Sequence, residues 1–260
     1  MVILSFFEFI GRFFFQTLIS AGDIGIFLGR TIMAIVTPPW YPRQFFRQLL
    51  NVGYLSLPVV GLTAIFSGMV LALQSYTGFA RFNASNAIAT VVVLSITREL
   101  GPVLAGLMLA GRVGAAMAAE LGTMRVTEQV DALTTLSTNP MQYLVAPRVL
   151  AALISMPLLV LIADIIGVFG GYLVAVYQLD FNASNYISQT VHFLQSRDVI
   201  SGLIKAAAFG FIVALMGCYH GYNSKGGAAG VGRATTNAVV SASIFILLFN
   251  YALTALLFSK

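Results

Sequence analysis

The hydrophobic positions of this chain form long stretches that contain almost no charge. Residues 48–80, 206–224 and 234–259 carry no charged side chain, and residues 149–179 carry only Asp164. About 20 consecutive apolar residues cross the hydrocarbon core of a bilayer, where a charged side chain costs about 3 kcal/mol. Residues 43–260 are therefore predicted to form a membrane domain with five spans. These spans lie at about 52–73, 87–110, 149–176, 206–224 and 234–259.

The first 42 residues are apolar but carry a narrow polar stripe. On a continuous helix, seven polar side chains fall within one sector of about 120°. They are Ser5, Glu8, Arg12, Gln16, Ser20, Asp23 and Arg30. Such a helix is predicted to lie in the membrane interface, and the prolines between positions 38 and 42 are predicted to end it. A cleaved signal peptide is the alternative, but the basic residues that precede the apolar core of a signal peptide are missing.

The Lys and Arg residues predict the orientation of the domain. With a cytoplasmic N-terminus, the inside segments hold nine of the 14 basic residues and two more lie within spans. The outside segments hold three, which are Arg81, Arg197 and Lys260. Because basic residues accumulate on the cytoplasmic side, this asymmetry favours an inside N-terminus and an outside C-terminus.

Composition excludes several classes of protein. The chain is 58% hydrophobic and 9% charged, whereas a soluble domain carries about 25% charged residues. The net charge is +5, but the basic residues are scattered, which argues against binding of nucleic acid. We predict no catalytic residue and no metal site, because Cys218, His192 and His220 lack neighbouring ligands. No lysine lies in a Gly-Lys-Ser/Thr phosphate-binding loop, so the chain has no such site for ATP.

The second span carries the clearest candidate chemistry. Arg98 and Glu99 lie within it and are followed by Gly101 and Pro102. Ionisable side chains in a span usually face a cavity, a partner or a substrate. Pro102 lacks the N–H that would bond the carbonyl of Arg98, so the helix is predicted to kink there. The pair either lines a functional cavity or forms a structural ion pair with Asp164 or Lys205.

The inside segment between the second and third spans, about residues 112–147, is predicted to carry a short amphipathic helix over residues 119–136. Val126, Val130 and Leu133 share one face of that helix, whereas Glu128 and Asp131 point elsewhere. The helix either rests on the lipid headgroups or docks on a protein. Mixed charges favour a protein, because an anionic leaflet attracts polybasic faces.

Several sequence motifs resemble those of a known protein family, and the resemblance extends over most of the chain. They are LGPVLAG at 100–106, AGRVGAA at 110–116, AELGTM at 119–124, EQVDAL at 128–133, NP at 139–140, APR at 146–148 and GRATT at 232–236. With them the sequence resembles the MlaE/YrbE family of permeases. One departure is Asn250, because many members of that family carry Asp in the last span.

The resemblance implies an all-α integral membrane fold, with an N-terminal interfacial helix and five transmembrane helices. It implies the permease subunit of an ABC transporter that moves phospholipids between the inner and outer membranes of a Gram-negative bacterium and maintains outer-membrane lipid asymmetry. It also implies a homodimer in the inner membrane, cytoplasmic ATPase subunits that hydrolyse ATP with Mg²⁺, a STAS-domain protein and a periplasmic ring of MCE-domain subunits. The chain itself is then neither an enzyme nor the holder of a cofactor.

Two groups of residues become candidates in this context. Those predicted to contact the ATPase are Glu120, Thr123, Arg125, Glu128, Asp131 and Arg233. Those predicted to contact a lipid headgroup are Gln74, Arg98, Glu99, Asp164 and Lys205. Both charge signs are present in the second group, so it suits a headgroup with a phosphate and an ammonium. The alternative is a proton- or ion-coupled carrier that uses the embedded charges as a relay.

Overall fold

A computed structural model describes residues 2–79 and 87–258, with the side chains of residues 2–14 and 17 excluded. Within these limits the chain is helical and has no strand. The α-helices are α1 (Val2–Val36), α2 (Pro42–Val52), α3 (Leu57–Phe79), α4 (Ile88–Ser95), α5 (Gly101–Leu109), α6 (Ala115–Val126), α7 (Gln129–Thr135), α8 (Ala146–Tyr177), α9 (Ala183–Phe193), α10 (Ser196–Tyr222) and α11 (Gly227–Phe258). A 3₁₀ turn covers Tyr54–Ser56, and π-helical turns cover Ile96–Leu100, Ala110–Gly114 and Met141–Val145. The all-α membrane fold is thereby confirmed.

Six helical stretches of the described chain are long and apolar enough to cross a membrane. Five of them overlap the predicted spans almost completely, and the sixth is Leu18–Val36, within α1. Its side chains are mostly exposed, although Phe27 packs edge-on against Tyr219 of α10 with ring centroids 5.5 Å apart. By length and composition this segment could also cross the membrane. Its position in the membrane interface therefore stays a prediction. Arg81, Lys260 and the side chains of Ser5, Glu8 and Arg12 lie outside the described residues.

The second span is longer than predicted. Helical structure runs from Ile88 to Val126 over 39 residues, or about 58 Å, which exceeds the hydrocarbon core of about 30 Å. Two π-helical turns interrupt it, at Ile96–Leu100 and Ala110–Gly114. Such turns widen a helix locally and often mark functional sites. The first of them contains Arg98 and Glu99, and α5 resumes with Pro102 in its first turn.

The inside segment differs from the single amphipathic helix predicted over residues 119–136. The helix of the second span continues through α6 to Val126, and α7 is a separate short helix. Glu128 separates them in the left-handed conformation, with φ of 60°. Of the predicted apolar face, Val130 is buried but Val126 is exposed. The prediction failed because a left-handed Glu leaves no mark in the hydrophobic pattern.

Close helix contacts at small residues hold the bundle together. On α3, a Cβ at Gly68 would collide with the backbone of Gly167 on α8. On α10, a Cβ at Gly210 would lie 2.5 Å from the carbonyl oxygen of Ala152 on α8. Helix backbones approach this closely in membranes where small residues face each other. The core of the bundle therefore forms around α8 and α10, with α3, α5, α6 and α11 packed on them.

Candidate functional site

The π-helical turn at Ile96–Leu100 meets α10 through a lysine. Lys205 is fully buried, and its Nζ donates to the carbonyl oxygen of Arg98 over 2.9 Å. This carbonyl is the acceptor that Pro102, four residues later, cannot bond. A side chain on the neighbouring helix therefore supplies the donor that the proline removes.

The same ammonium anchors a cluster around Glu99. Lys205 Nζ lies 2.7 Å from Glu99 Oε1 and 2.7 Å from Thr254 Oγ1. Thr254 Oγ1 is 3.0 Å from Glu99 Oε1, and Asn250 Nδ2 donates to Glu99 Oε2 over 2.9 Å. We call Arg98, Glu99, Lys205, Asn250 and Thr254 the charged cluster. At position 250 a carboxylate would face Glu99 and repel it, whereas the amide of Asn250 donates to it.

Arg98 points to a different partner from Glu99. Its Nε and Nη2 lie 2.8 Å and 2.7 Å from Asp198 Oδ1 at the beginning of α10. Asp198 Oδ2 accepts the backbone N–H of Gln195, which completes a capping box at the start of α10. The guanidinium also lies over the ring of Phe258, 4.8 Å from its centroid. Sequence reasoning missed Asp198, because an acid in the first turn of a helix has the pattern of a cap.

Both charges of this turn are partly accessible. The side chains of Arg98 and Glu99 are each 36% exposed, whereas Lys205 and Asp198 are 0% and 1% exposed. The cluster lies about 14 Å from the beginning of α10 and about 6 Å from the end of α11, measured at Lys205 and Thr254. It therefore lies towards the end of the bundle that is predicted to be outside. A ligand can reach the two exposed groups while their partners stay fixed in the protein.

Asp164 does not join this cluster, contrary to the ion pair considered from the sequence. Its carboxylate lies against Gly101, where a Cβ would collide with it. Within the described part of the chain, its buried Oδ1 has no hydrogen-bond partner. Asp164 instead lines an apolar groove of about 520 Å³ with Phe169, Tyr172 and Tyr186. The interpretation as a structural pair is thus correct for Glu99 with Lys205 and wrong for Asp164.

Gln74 also lies apart from the cluster. It is exposed on α3, and no hydrogen bond of its side chain is found among the described residues. Its contact with a lipid headgroup stays a prediction.

At the opposite end of the bundle, the predicted ATPase contacts form a largely exposed surface. Arg125 pairs with Asp131 across the break between α6 and α7, and Glu120 pairs with Arg148 over 3.0 Å. Thr123 and Glu128 are exposed. Arg233 is exposed too, with its guanidinium beside Gly226, and it forms no ion pair with a described acid. The contact of Arg233 with the ATPase stays a prediction.

Comparison with known proteins gives consistent matches. The chain matches the family described as "Permease MlaE" over residues 45–256. A "Probable ABC transporter permease protein" of Rickettsia felis is 64% identical over 239 residues, 92% of each chain. The "Intermembrane phospholipid transport system permease protein MlaE" of Haemophilus influenzae is 36% identical over 229 residues, 86% of this chain and 88% of that relative. "Protein TRIGALACTOSYLDIACYLGLYCEROL 1, chloroplastic" of Arabidopsis thaliana is 36% identical over 239 residues, 91% of this chain and 67% of that relative.

Long apolar helices around an embedded charged cluster are the features of a multi-pass membrane transport subunit. The matches make the class specific: the chain belongs to the MlaE permease family and is a permease subunit of an ABC transporter. Subunits of this class are not themselves catalytic, and ATP is used by a partner ATPase. The ion-coupled carrier considered from the sequence loses its support, because its energy source differs from that of the class.

Proposed function

We propose that this chain is the membrane permease of an ATP-driven transporter that moves phospholipids between the inner and outer membranes and so maintains outer-membrane lipid asymmetry. The printed name of the Haemophilus relative supports the substrate class. The observation that carries the proposal is the pair of oppositely charged, partly exposed side chains of Arg98 and Glu99, each held by a buried partner. Every phospholipid headgroup carries a phosphate, and many also carry an ammonium, so this pair offers a partner for both ions.

The cluster can accept a headgroup while its own ion pairs stay intact. A headgroup phosphate bonds the exposed edge of Arg98, whose Nη1 carries no protein partner among the described residues. A headgroup ammonium meets Glu99, which already shares its two oxygens with Lys205 and Asn250. Because Lys205 and Asp198 are buried, they keep both side chains oriented while the headgroup enters and leaves. This fixed orientation is what a preorganised site requires.

We further propose that two copies of the chain enclose the cluster along α11. The helix exposes a row of large apolar side chains, among them Val240, Ile244, Leu247 and Tyr251. Asn250 and Thr254 of the cluster lie on the same helix. A second copy against this face would cover the exposed sides of Arg98 and Glu99 and leave a shared path for lipid.

The remaining partners follow from the family. We propose that the exposed surface around α7 contacts a cytoplasmic ATPase that hydrolyses ATP with Mg²⁺, and that a STAS-domain protein and a periplasmic MCE-domain ring complete the complex. The N-terminus is then cytoplasmic and the C-terminus periplasmic, in the inner membrane. Labelling of single cysteines introduced at Asp180 and Glu128 tests the orientation, because only the former should react with an impermeant reagent in intact spheroplasts.

Photochemical crosslinking to lipid in the assembled, reconstituted complex tests the substrate site. A photoreactive side chain in place of Tyr251, next to Asn250, should capture phospholipid in amounts that change when ATP is added. The control replaces Ile165, a large apolar residue of α8 that is also exposed. It should capture bilayer lipid to an extent that ATP does not alter. Equal ATP dependence at both positions, or none at either, would contradict the proposal.

The same experiment tests Gln74, which lies apart from the charged cluster. A photoreactive side chain at Gln74 should capture lipid with the ATP dependence of position 251 if Gln74 borders the path. An ATP-independent signal at Gln74 would remove that residue from the site.

A further inference from the structure

A second polar region of the molecule lies on α2, far from the charged cluster. Apart from Arg43 in its first turn, the polar side chains of this helix are Gln44, Arg47, Gln48 and Asn51, which recur at the spacing i, i+3, i+4 and i+7. This spacing places them on one face of the helix. The opposite face presents Phe46 and Leu50, which are 62% and 61% exposed. α2 is thus amphipathic, with its polar face turned towards the protein.

The polar face of α2 borders a cavity of about 630 Å³. The facing wall comes from α6, the beginning of α7, the π-helical turn at Met141–Val145 and the beginning of α8. Its polar side chains are Glu120, Thr123, Gln129, Tyr143 and Arg148. A cavity of this size falls within the range of small-molecule sites, about 300–1,000 Å³. The cavity belongs to neither the charged cluster nor the groove beside Asp164, although Glu120 and Thr123 of its wall are also among the residues predicted to contact the ATPase.

The charges that surround the cavity are mainly positive. Arg148 is 6% exposed, and it donates to the carbonyl of Leu144 over 2.7 Å and to Glu120 Oε2 over 3.0 Å. Its buried Nε has no partner among the described residues. Arg47 is exposed and forms no ion pair with a described acid. Glu120 is the acid among the lining residues, and it pairs with Arg148. Because Arg47 is the second basic residue of the lining, one positive charge remains in excess.

The position of α2 places this cavity at the membrane surface. Trp40 and Tyr41 directly precede the helix, and such aromatic residues anchor chains at the headgroup level. Phe46 and Leu50 face away from the cavity, towards where acyl chains would lie. Basic cavities between helices on the cytoplasmic side of a membrane suit anionic lipid headgroups.

We propose that this cavity binds the headgroup of an anionic phospholipid from the surrounding leaflet, as a site separate from the transport path. The phosphodiester accepts hydrogen bonds from Arg47 and is attracted by the guanidinium of Arg148, and Gln48 and Asn51 contact the polar remainder of the headgroup. The acyl chains pass over the apolar side of α2. A free soluble anion would use the basic residues but gain nothing from Phe46 and Leu50. The proposal does not depend on which lipid the complex transports.

Lipid retention by the purified permease tests the proposal. The full chain is released from nanodiscs that contain equal amounts of phosphatidylglycerol and phosphatidylcholine, and the bound lipids are counted by native mass spectrometry. Wild-type protein should retain phosphatidylglycerol in preference. Arg47→Gln should reduce this preference about fivefold, because a basic residue near an anionic headgroup contributes on this scale. Gln48→Phe, which fills the cavity without changing charge, should abolish it.

The matched control is Arg43→Gln, on the same helix. Arg43 is exposed and does not border the cavity, so this variant makes the same charge change beside it. It should retain phosphatidylglycerol as the wild type does. An equal loss in both arginine variants would show nonspecific attraction and overturn the proposal.

Two further outcomes would also overturn it. Displacement of phosphatidylglycerol by millimolar glycerol phosphate would identify a soluble anion as the occupant. Loss of the bound lipid on addition of the partner ATPase would identify the cavity as part of a protein interface. Retention of phosphatidylglycerol in the presence of glycerol phosphate and of the partner ATPase supports the lipid site.

Discussion

Lys205 bonds the carbonyl oxygen of Arg98, the backbone acceptor that Pro102 leaves free, over 2.9 Å. One fully buried ammonium thus satisfies the interrupted helix and, at 2.7 Å, the side chain of Glu99. The ammonium of Lys205 on α10 therefore holds both the backbone of the π-helical turn and the side chain of Glu99. The shape of this turn and the charge of the cluster therefore depend on each other.

Replacement of Lys205 by methionine tests this dependence. Lys205→Met should lower the free energy of unfolding by about 3–5 kcal/mol, because it removes the counter-ion of Glu99 and the side-chain donor to the carbonyl of Arg98. The double variant Lys205→Met with Glu99→Gln should recover more than 1 kcal/mol of this loss, since the unpaired charge is gone. Denaturant unfolding in detergent measures both.

Lys225→Met serves as the control, because Lys225 is exposed between α10 and α11. It should unfold as the wild type does. Additive effects in the double variant would mean that Lys205 and Glu99 do not interact in the detergent-solubilised protein.

The carboxylate of Asp164 is the opposite case, a buried acid without a hydrogen bond to a described residue at Oδ1. Asp164→Asn keeps the shape of the side chain and removes the cost of burying a carboxylate. We expect a gain in stability of about 1–3 kcal/mol and unchanged lipid transport. Thermal unfolding and a reconstituted transport assay measure the two effects. Loss of transport in a stabilised variant would instead show that Asp164 contacts the substrate.

Lys205 and Asp164 show which contacts of the charged cluster can be predicted from the sequence and which cannot. The divergence of Arg98 and Glu99 follows from the 100° between neighbouring residues of a helix, and the pairing of Glu99 with Lys205 was one of two options. Asp198 could not be identified as the partner of Arg98, because no pattern places the beginning of α10 beside the middle of the second span. Asp164 lies at a similar depth but beside Gly101, and the sequence alone does not determine how the helices rotate.

The contact between α3 and α8 makes a prediction about packing. Gly68→Ala should destabilise the fold by about 1–3 kcal/mol, because the added methyl group meets the backbone of Gly167, which cannot move aside alone. Gly78→Ala on the same helix is the control, since no atom lies within 4 Å of its added Cβ. The control should gain up to about 1 kcal/mol from helix propensity. Equal thermal stability of the two variants would mean that α3 and α8 are less closely packed.

The surface around α7 gives a prediction about the ATPase. Glu128 is exposed, holds a left-handed backbone and forms no ion pair with a described residue, so its charge is available to another chain. Glu128→Lys should weaken co-purification of the ATPase about tenfold, because the reversal replaces an attraction at the interface with a repulsion. Asp131 is less informative, since its loss also releases Arg125.

Asp180→Lys is the matched control for Glu128→Lys. Asp180 is likewise an exposed acid in the left-handed conformation, with φ of 55° against 60° for Glu128, but it follows α8 at the other end of the bundle. Both variants therefore bear the same backbone strain and the same change of charge. Only Glu128→Lys should loosen the ATPase, as measured by pull-down at several salt concentrations. If both variants bind the ATPase equally, the contact lies elsewhere on the inside segment. Thr123 and Arg233 are then the next positions to substitute.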